Sequence, residues 1–284
     1  MKLSPCLSKA FALNCLSISA IALFLLFPDH LLQAQIVPDN TLPVNSLVTS
    51  DANSFVINGG TSRGNNLFHS FAQFSLPTGS TALFNNIGDI QNIISRVTGG
   101  SISNIDGVIQ ANGTANLFFL NPKGIVFGSN ASLNIGGSFL GSTATSINFA
   151  DGTTFSATNP QSQSLLTVSI PVGLGFGSNP GAIRVQNTGH SLTVADPLVS
   201  PITGVSDSST GLRVQAGKTL ALVGGNVTLE GGILTAPEGR IELGSVGSGS
   251  VNISPTPQGF TFGYQGVQAF HNIQLSQRSL LDAS

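Results

Sequence analysis

The sequence predicts an all-β protein: a single-stranded parallel β-helix (solenoid) with an N-terminal β cap. Three observations carry the expectation. After residue 35 the chain is filled with short alternating apolar runs, and apolar residues nowhere recur at i, i+3, i+4, i+7 over a useful window. Gly-Gly pairs at 59-60, 99-100, 136-137, 224-225 and 231-232 fall between such runs, where a coil must bend. Only 8% of the 284 residues are charged, against about 25% in ordinary soluble domains. Stacked coils place like residues above one another, so a repeated charge would repel itself, whereas Asn, Ser and Thr form hydrogen-bonded ladders. A sandwich of hairpins is the competing architecture; the scarcity of Asn-Gly turns between strands of three to six residues favours the solenoid.

Taken in order, residues 1–34 have the layout of a secretory signal peptide. Lys2 and Lys9 precede an apolar core from Ile18 to Phe27, Pro28 and Asp29 break it, and Ala34 offers a cleavage edge. The core is too short to span a bilayer. Both cysteines, Cys6 and Cys15, lie inside this segment, so the exported chain must be held by burial and hydrogen bonds alone. Residues 36–75, with Phe55, Phe68, Phe71 and Phe74, are the expected cap. The segment from Ile87 to Val97 reads as a turn or a single strand. Runs at 107–110, 115–120, 124–127 and 132–135 read as rungs; 150–165 reads as a loop or extra hairpin leaving the stack. Further rungs are expected at 166–170, 182–185, 191–194, 212–214, 219–223, 226–229, 239–243 and 251–253. The run from Gln274 to Ser284 looks like a rung begun without a cap. At about 20 residues per coil, the exported chain holds at most about twelve coils, a rod of no more than roughly 58 Å.

Composition and spacing also exclude functions. The net charge of −2 gives no basic footprint for nucleic acid, and no second segment is apolar enough to cross a membrane. His69, His190 and His271 have no paired spacing and no flanking cysteine, so neither a metal nor a cofactor is expected. Asp106, Asp151 and Glu238 each precede glycine and read as turn acids. A β-helical polysaccharide lyase or hydrolase would need bases and acids converging on one face, and the eight bases after residue 35 are scattered. The chain is therefore expected not to be an enzyme.

Several stretches carry a resemblance to a known family. Residues 57–74, running Ile57-Asn-Gly-Gly-Thr-Ser-Arg-Gly-Asn-Asn-Leu-Phe-His-Ser-Phe-Ala-Gln-Phe74, resemble the opening of the filamentous haemagglutinin N-terminal (two-partner secretion, or haemagglutination activity) domain. Residues 117–128, with Asn121-Pro122-Lys123-Gly124-Ile125, resemble its Asn-Pro-Asn-Gly-Ile signature, with Lys123 where the family usually has Asn. Residues 131–144 and 218–232 are similar to its later coils. The resemblance implies a secretion domain over 35–160 and continuing, apparently truncated β-helix coils over 161–284. It also implies a right-handed helix, export to the periplasm, and passage through an outer-membrane Omp85-type transporter whose periplasmic domains are the partner. The protein would then be a secreted or cell-surface haemagglutinin-like adhesin, with surface glycans or other cells as further partners. A glycan-binding rod that needs no transporter is the other non-catalytic alternative.

The candidate residues follow from these segments. Asn121, Pro122, Lys123, Gly124 and Ile125 form a corner turn by their own chemistry, since Pro fixes φ, Asn bonds local backbone and Gly accepts positive φ; a transporter-reading role is the alternative. Asn65, Asn66, Leu67, Phe68 and Phe71 could lie as an added strand in a groove of the transporter, or could pack the cap.

Overall fold

The computed structural model describes residues 36–160, 166–196, 198–201, 203 and 210–284. The signal-peptide reading therefore lies outside the described residues. Among those residues there is no helix, and the chain winds as a parallel β-helix with three strand-bearing faces.

The first face stacks Asn66–Phe74, Asn92–Val97, Asn116–Leu120, Phe139–Ser142, Thr219–Gly224 and the start of Arg240–Thr256, all parallel. The second stacks Ser103–Ile105, Ile125–Phe127, Ile183–Gln186, Val227–Glu230 and Ile273–Ser276. The third runs Ser54–Gly59, Thr81–Phe84, Val108–Ala111 and Ser132–Asn134, then continues with Leu212–Arg213, Ile233–Thr235 and Leu280–Asp282. Six rungs on the first face make a rod well under the 58 Å limit, because much of the chain pairs antiparallel beside the stack instead of adding rungs: Ser146–Phe149, Thr154–Ser156 and Pro171–Phe176, and later the far end of Arg240–Thr256 with Gly259–Gly263 and Val267–Phe270.

The strands of the first face are apolar on both sides for a physical reason: both sides are covered. Alternate residues such as Leu67, Ile93, Leu117, Phe139 and Leu220 point into the coil and build one core. Their neighbours Phe68, Ile94, Phe118, Leu140 and Ala221 point outward and build a second. An antiparallel flank covers that second face. It consists of Ser146–Phe149, Thr154–Ser156 and Pro171–Phe176, the far end of Arg240–Thr256, Gly259–Gly263 and Val267–Phe270. The hairpin expected near 150–165 is the Ser146–Phe149/Thr154–Ser156 pair.

The cap over 36–75 closes the first edge with reversed strands. Ile36–Pro38 and Thr61–Arg63 pair antiparallel with Asn66–Phe74, and Ser46–Asp51 pairs antiparallel with Ser54–Gly59. An edge so covered offers no parallel template to another chain. Three expected rungs are corrected. Residues 251–253 are extended, but they lie in the antiparallel flank, Asn252 pairing with Gly173 and Gly263, and not in the stack. Residues 166–170 form no strand; the strand is Pro171–Phe176. The backbone of 166–170 is held from the first face: Asn66 Nδ2 donates to the carbonyls of Thr167 (3.1 Å) and Ser169 (2.8 Å), the Thr167 hydroxyl donates to Asp151, and Val168 is 70% exposed. Residues 191–194 contribute only an isolated bridge between Thr193 and Thr203; Leu192 is half-buried and Val194 exposed, so the alternation there finds no core to pack into.

The expected side-chain ladders are present. Asn92 Nδ2 donates to Asn66 Oδ1 at 3.0 Å, Asn116 Nδ2 to Asn92 Oδ1 at 3.1 Å, and the Ser138 amide to Asn116 Oδ1 at 2.9 Å. These steps span 26, 24 and 22 residues, which are the coil lengths. A second, exposed ladder joins Asn58, Asn85 and Asn112. Corner glycines bring coils into close approach: a Cβ on Gly137 would meet the Ala115 carbonyl oxygen at 2.5 Å.

Candidate functional site

Asn121 follows the strand Asn116–Leu120 and is 1% exposed. Its Nδ2 donates to the Ser101 carbonyl and to Ser103 Oγ, both at 2.9 Å, and its Oδ1 accepts the Lys123 amide at 3.0 Å. The Gly124 amide closes a turn on the Asn121 carbonyl at 3.1 Å, with Gly124 at φ 133, a conformation L side chains rarely adopt. The Asn121 amide bonds the next rung through the Ser142 carbonyl, and the Pro122 carbonyl accepts from Gly181. Pro122 and Ile125 are buried, and Lys123 alone of the five is exposed. The signature is thus a clamp that joins three coils at one corner.

Replacing Asn121 with Ala removes three bonds made by one buried side chain and leaves their partners unpaired. The expected loss is about 2–3 kcal/mol, read as a shift in the urea midpoint at constant slope. A loss below about 0.5 kcal/mol would show that water or a neighbour replaces those bonds.

The second candidate segment is divided between environments. Asn65 is exposed, with its carbonyl accepting from the Gln91 and Asn92 amides. Asn66 is the end of the buried ladder, tied to Thr167 and Ser169. Leu67 and Phe71 sit in the inner core, and Phe68 in the outer one, 5.1 Å from the Phe155 ring. In the folded protein these apolar side chains pack the cap and flank and present no free surface.

The structure adds a cluster that sequence reasoning missed. Arg96 is wholly buried on the outer side of Asn92–Val97. Its Nε donates to Ser70 Oγ (2.9 Å) and its two terminal nitrogens to Thr41 Oγ1 (2.9 Å) and the Ser156 carbonyl (2.6 Å), while Cζ stands 4.0 Å over the Phe155 ring. Thr41 and Ser70 in turn donate to Asp39, which also accepts from Thr98 at 2.6 Å. Burial pushes Arg96 down to about 10, opposed by the Asp39 charge. Burial alone would raise Asp39, but the hydroxyl bonds from Thr41, Thr98 and Ser70 together hold it below the usual carboxylate value. The signal in the sequence was a lone charge, Arg96, inside the otherwise uncharged run Ile93-Ile94-Ser95-Arg96-Val97.

Among the described residues no group of His, Asp or Glu is placed to hold a metal ion, and no helix is long and apolar enough to cross a membrane. One ion pair, Arg184 Nε to Glu230 Oε1 at 3.6 Å, joins adjacent rungs of the second face.

A family model described as the TPS secretion domain matches residues 34–284, the capped helix together with its excursions. The chain belongs to this two-partner secretion family. The secretion domain is similar in fold to the HMW1 secretion domain from Haemophilus influenzae, at a TM-score of 0.52 and 18% identity, over 81% of this chain and 49% of that one. The chain thus spans about half the length of that structure. The filamentous hemagglutinin secretion domain is matched at a TM-score of 0.38 and 15% identity, over 87% of this chain and 99% of that one. No curated protein matches. Membership makes this a two-partner secretion domain, and so part of an exported, secreted or surface-associated protein.

Proposed function

We propose that the chain directs an adhesin-like exoprotein through an Omp85-type outer-membrane transporter, whose periplasmic domains take it up unfolded, and that it folds only after crossing. The observation that supports this reading is burial. Asn121, Leu67, Phe68 and Phe71, which carry the family resemblance, are all closed off once the β-helix forms. A transporter that reads them meets them on an extended chain, where residues 65–71 can add as a strand to a groove. Folding outside then withdraws them and biases transit outward. The absence of cysteine after residue 15 suits the passage, since no crosslink can form early. The role of the folded product is non-catalytic in this reading. Its support is the dispersal of the bases: Arg96 is buried, Arg184 is paired with Glu230, and Lys123 stands exposed on a turn.

The test is secretion from a diderm bacterial host with and without the cognate transporter, scoring the protein in the medium. Release should require the transporter. Lys123→Glu, which alters the exposed residue of the signature and no buried bond, should leave stability unchanged, so a fall in release would assign it to recognition. Equal release without the transporter, or retention with it despite signal cleavage, would overturn the reading.

A further inference from the structure

A cavity of about 290 Å³ opens where three parts of the fold meet: the Asn ladder on the first face, the turn leading into Pro171–Phe176, and the loop before Gly259–Gly263. We propose that it binds a small hydroxylated carboxylate of the sugar-acid class, either free or as the terminal residue of a glycan.

The polar wall is built from successive rungs. Gln91 and Asn92 belong to one, Thr114 and Asn116 to the next, and Lys218 opens a later one. The backbone holds them in place: the Asn116 amide donates to the Gln91 carbonyl (2.8 Å), and the Lys218 carbonyl accepts from Arg240 (3.1 Å). Asn92 and Asn116 each spend one amide proton in the ladder, and each Nδ2 carries a second. Lys218 is the only charged residue lining the cavity, is half-buried, and makes no ion pair among the described residues. The rest of the lining is mainly apolar, with Ile170, Pro171 and Phe260 and the Pro255–Pro257 loop, in which Thr256 is the polar member.

These walls define the ligand. A lone ammonium in a cavity without acids favours an anion. Amide and hydroxyl donors one rung apart match neighbouring hydroxyl groups, and the proline and phenylalanine wall suits the C–H face of a pyranose ring. The volume lies at the lower end of ligand pockets, right for one sugar ring and too small for an oligosaccharide. A carboxylate would bond Lys218 Nζ, and its hydroxyls the spare Asn92 and Asn116 protons and the Thr114 hydroxyl.

The experiment needs no transporter, so its outcome is separate from that of the secretion reading. The purified chain is titrated with D-glucuronate, D-glucose and a disaccharide ending in glucuronic acid, following amide chemical shifts. Saturable glucuronate binding is expected, with glucose weaker by at least about tenfold. Lys218→Gln should bring glucuronate to the glucose level while the thermal midpoint stays put; Thr114→Val should weaken both sugars. Tighter binding of the disaccharide would place the glycan terminus as the source, and weaker binding the free acid. Equal affinity for glucuronate and glucose, an unchanged affinity in Lys218→Gln, or no saturation by any of the three overturns the proposal.

Discussion

Arg96→Met is expected to destabilise the folded domain by about 3–5 kcal/mol, the range found when one partner of a buried charge network is removed. The volume is nearly kept, so the loss is one of charge and hydrogen bonds. Ser70, Thr41 and the Ser156 carbonyl each lose a donor. Asp39 loses the cation that its hydroxyl partners relay to it, and Phe155 loses the guanidinium over its ring. The network also joins three separate parts of the chain: the cap through Asp39 and Thr41, the first two rungs through Ser70 and Arg96, and the flank through Ser156. Lysine should not rescue the variant, because one ammonium cannot span three acceptors held in a planar fan. Urea unfolding of Arg96→Met, Asp39→Asn and the double variant measures the coupling. The double loss should fall short of the summed single losses by at least about 1 kcal/mol. Additive losses, or a single loss under about 1 kcal/mol, would mean that the cluster is a solvated surface feature and not a clasp.

The rungs and ladders were legible in the sequence because they are local. A strand such as Asn116–Leu120 declares itself through apolar run and bounding glycines, and the existence of Asn ladders through composition, although not that Asn66, Asn92 and Asn116 form one. The Asn121 turn was equally readable, since Asn, Pro and Gly in that order have few alternatives. The flank was not. Nothing in the alternation at 166–170 says that the carbonyls of Thr167 and Ser169 will be held by Asn66, because that partner lies 101 and 103 residues away. Arg96 failed for the same cause: its acceptors are 26, 55 and 60 residues distant. His69 read as a lone histidine without a metal partner, which left its burial unseen.

Those distances bear on how the chain folds. Rungs alone would add one neighbour at a time, as expected of a solenoid. The flank breaks that order. Gly173–Phe176 pairs with Gly249–Asn252, so the outer side of Phe68, Ile94, Phe118 and Leu140 gains its full cover only when residues near 250 have arrived. A chain emerging N-terminus first would therefore form rungs early and close its second core late. In the secretion reading, that late closure is the step that makes passage irreversible.

Acid is expected to weaken the domain through His69. The ring is 1% exposed, lies 5.4 Å from the Phe84 ring, and has Ser46 Oγ on the cap at 2.9 Å from Nδ1; Nε2 has no partner. Ser95, its neighbour in register on the next rung, also holds an unpartnered hydroxyl. The groups facing the ring from the cap, from Thr81–Phe84 and from Asn92–Val97 are thus hydroxyls and apolar rings, with no charge to offset a proton. Burial pushes His69 down to about 3 from its ordinary 6.5. Between those values the unfolded chain binds a proton and the folded one does not, so stability falls as pH drops from 6.5, by about 1.4 kcal/mol per unit. By pH 4.5 the loss should reach about 3 kcal/mol. Asp39 adds to it only below about pH 4, where the unfolded carboxylate protonates first. Urea midpoints between pH 7.5 and 4.5 should follow this slope in the natural chain and lie nearly flat in His69→Gln, while His190→Gln and His271→Gln, at less buried sites, keep it. The same slope in His69→Gln would place the acid-sensitive group elsewhere. A flat profile in the natural chain would mean that the ring accepts its proton without leaving the core.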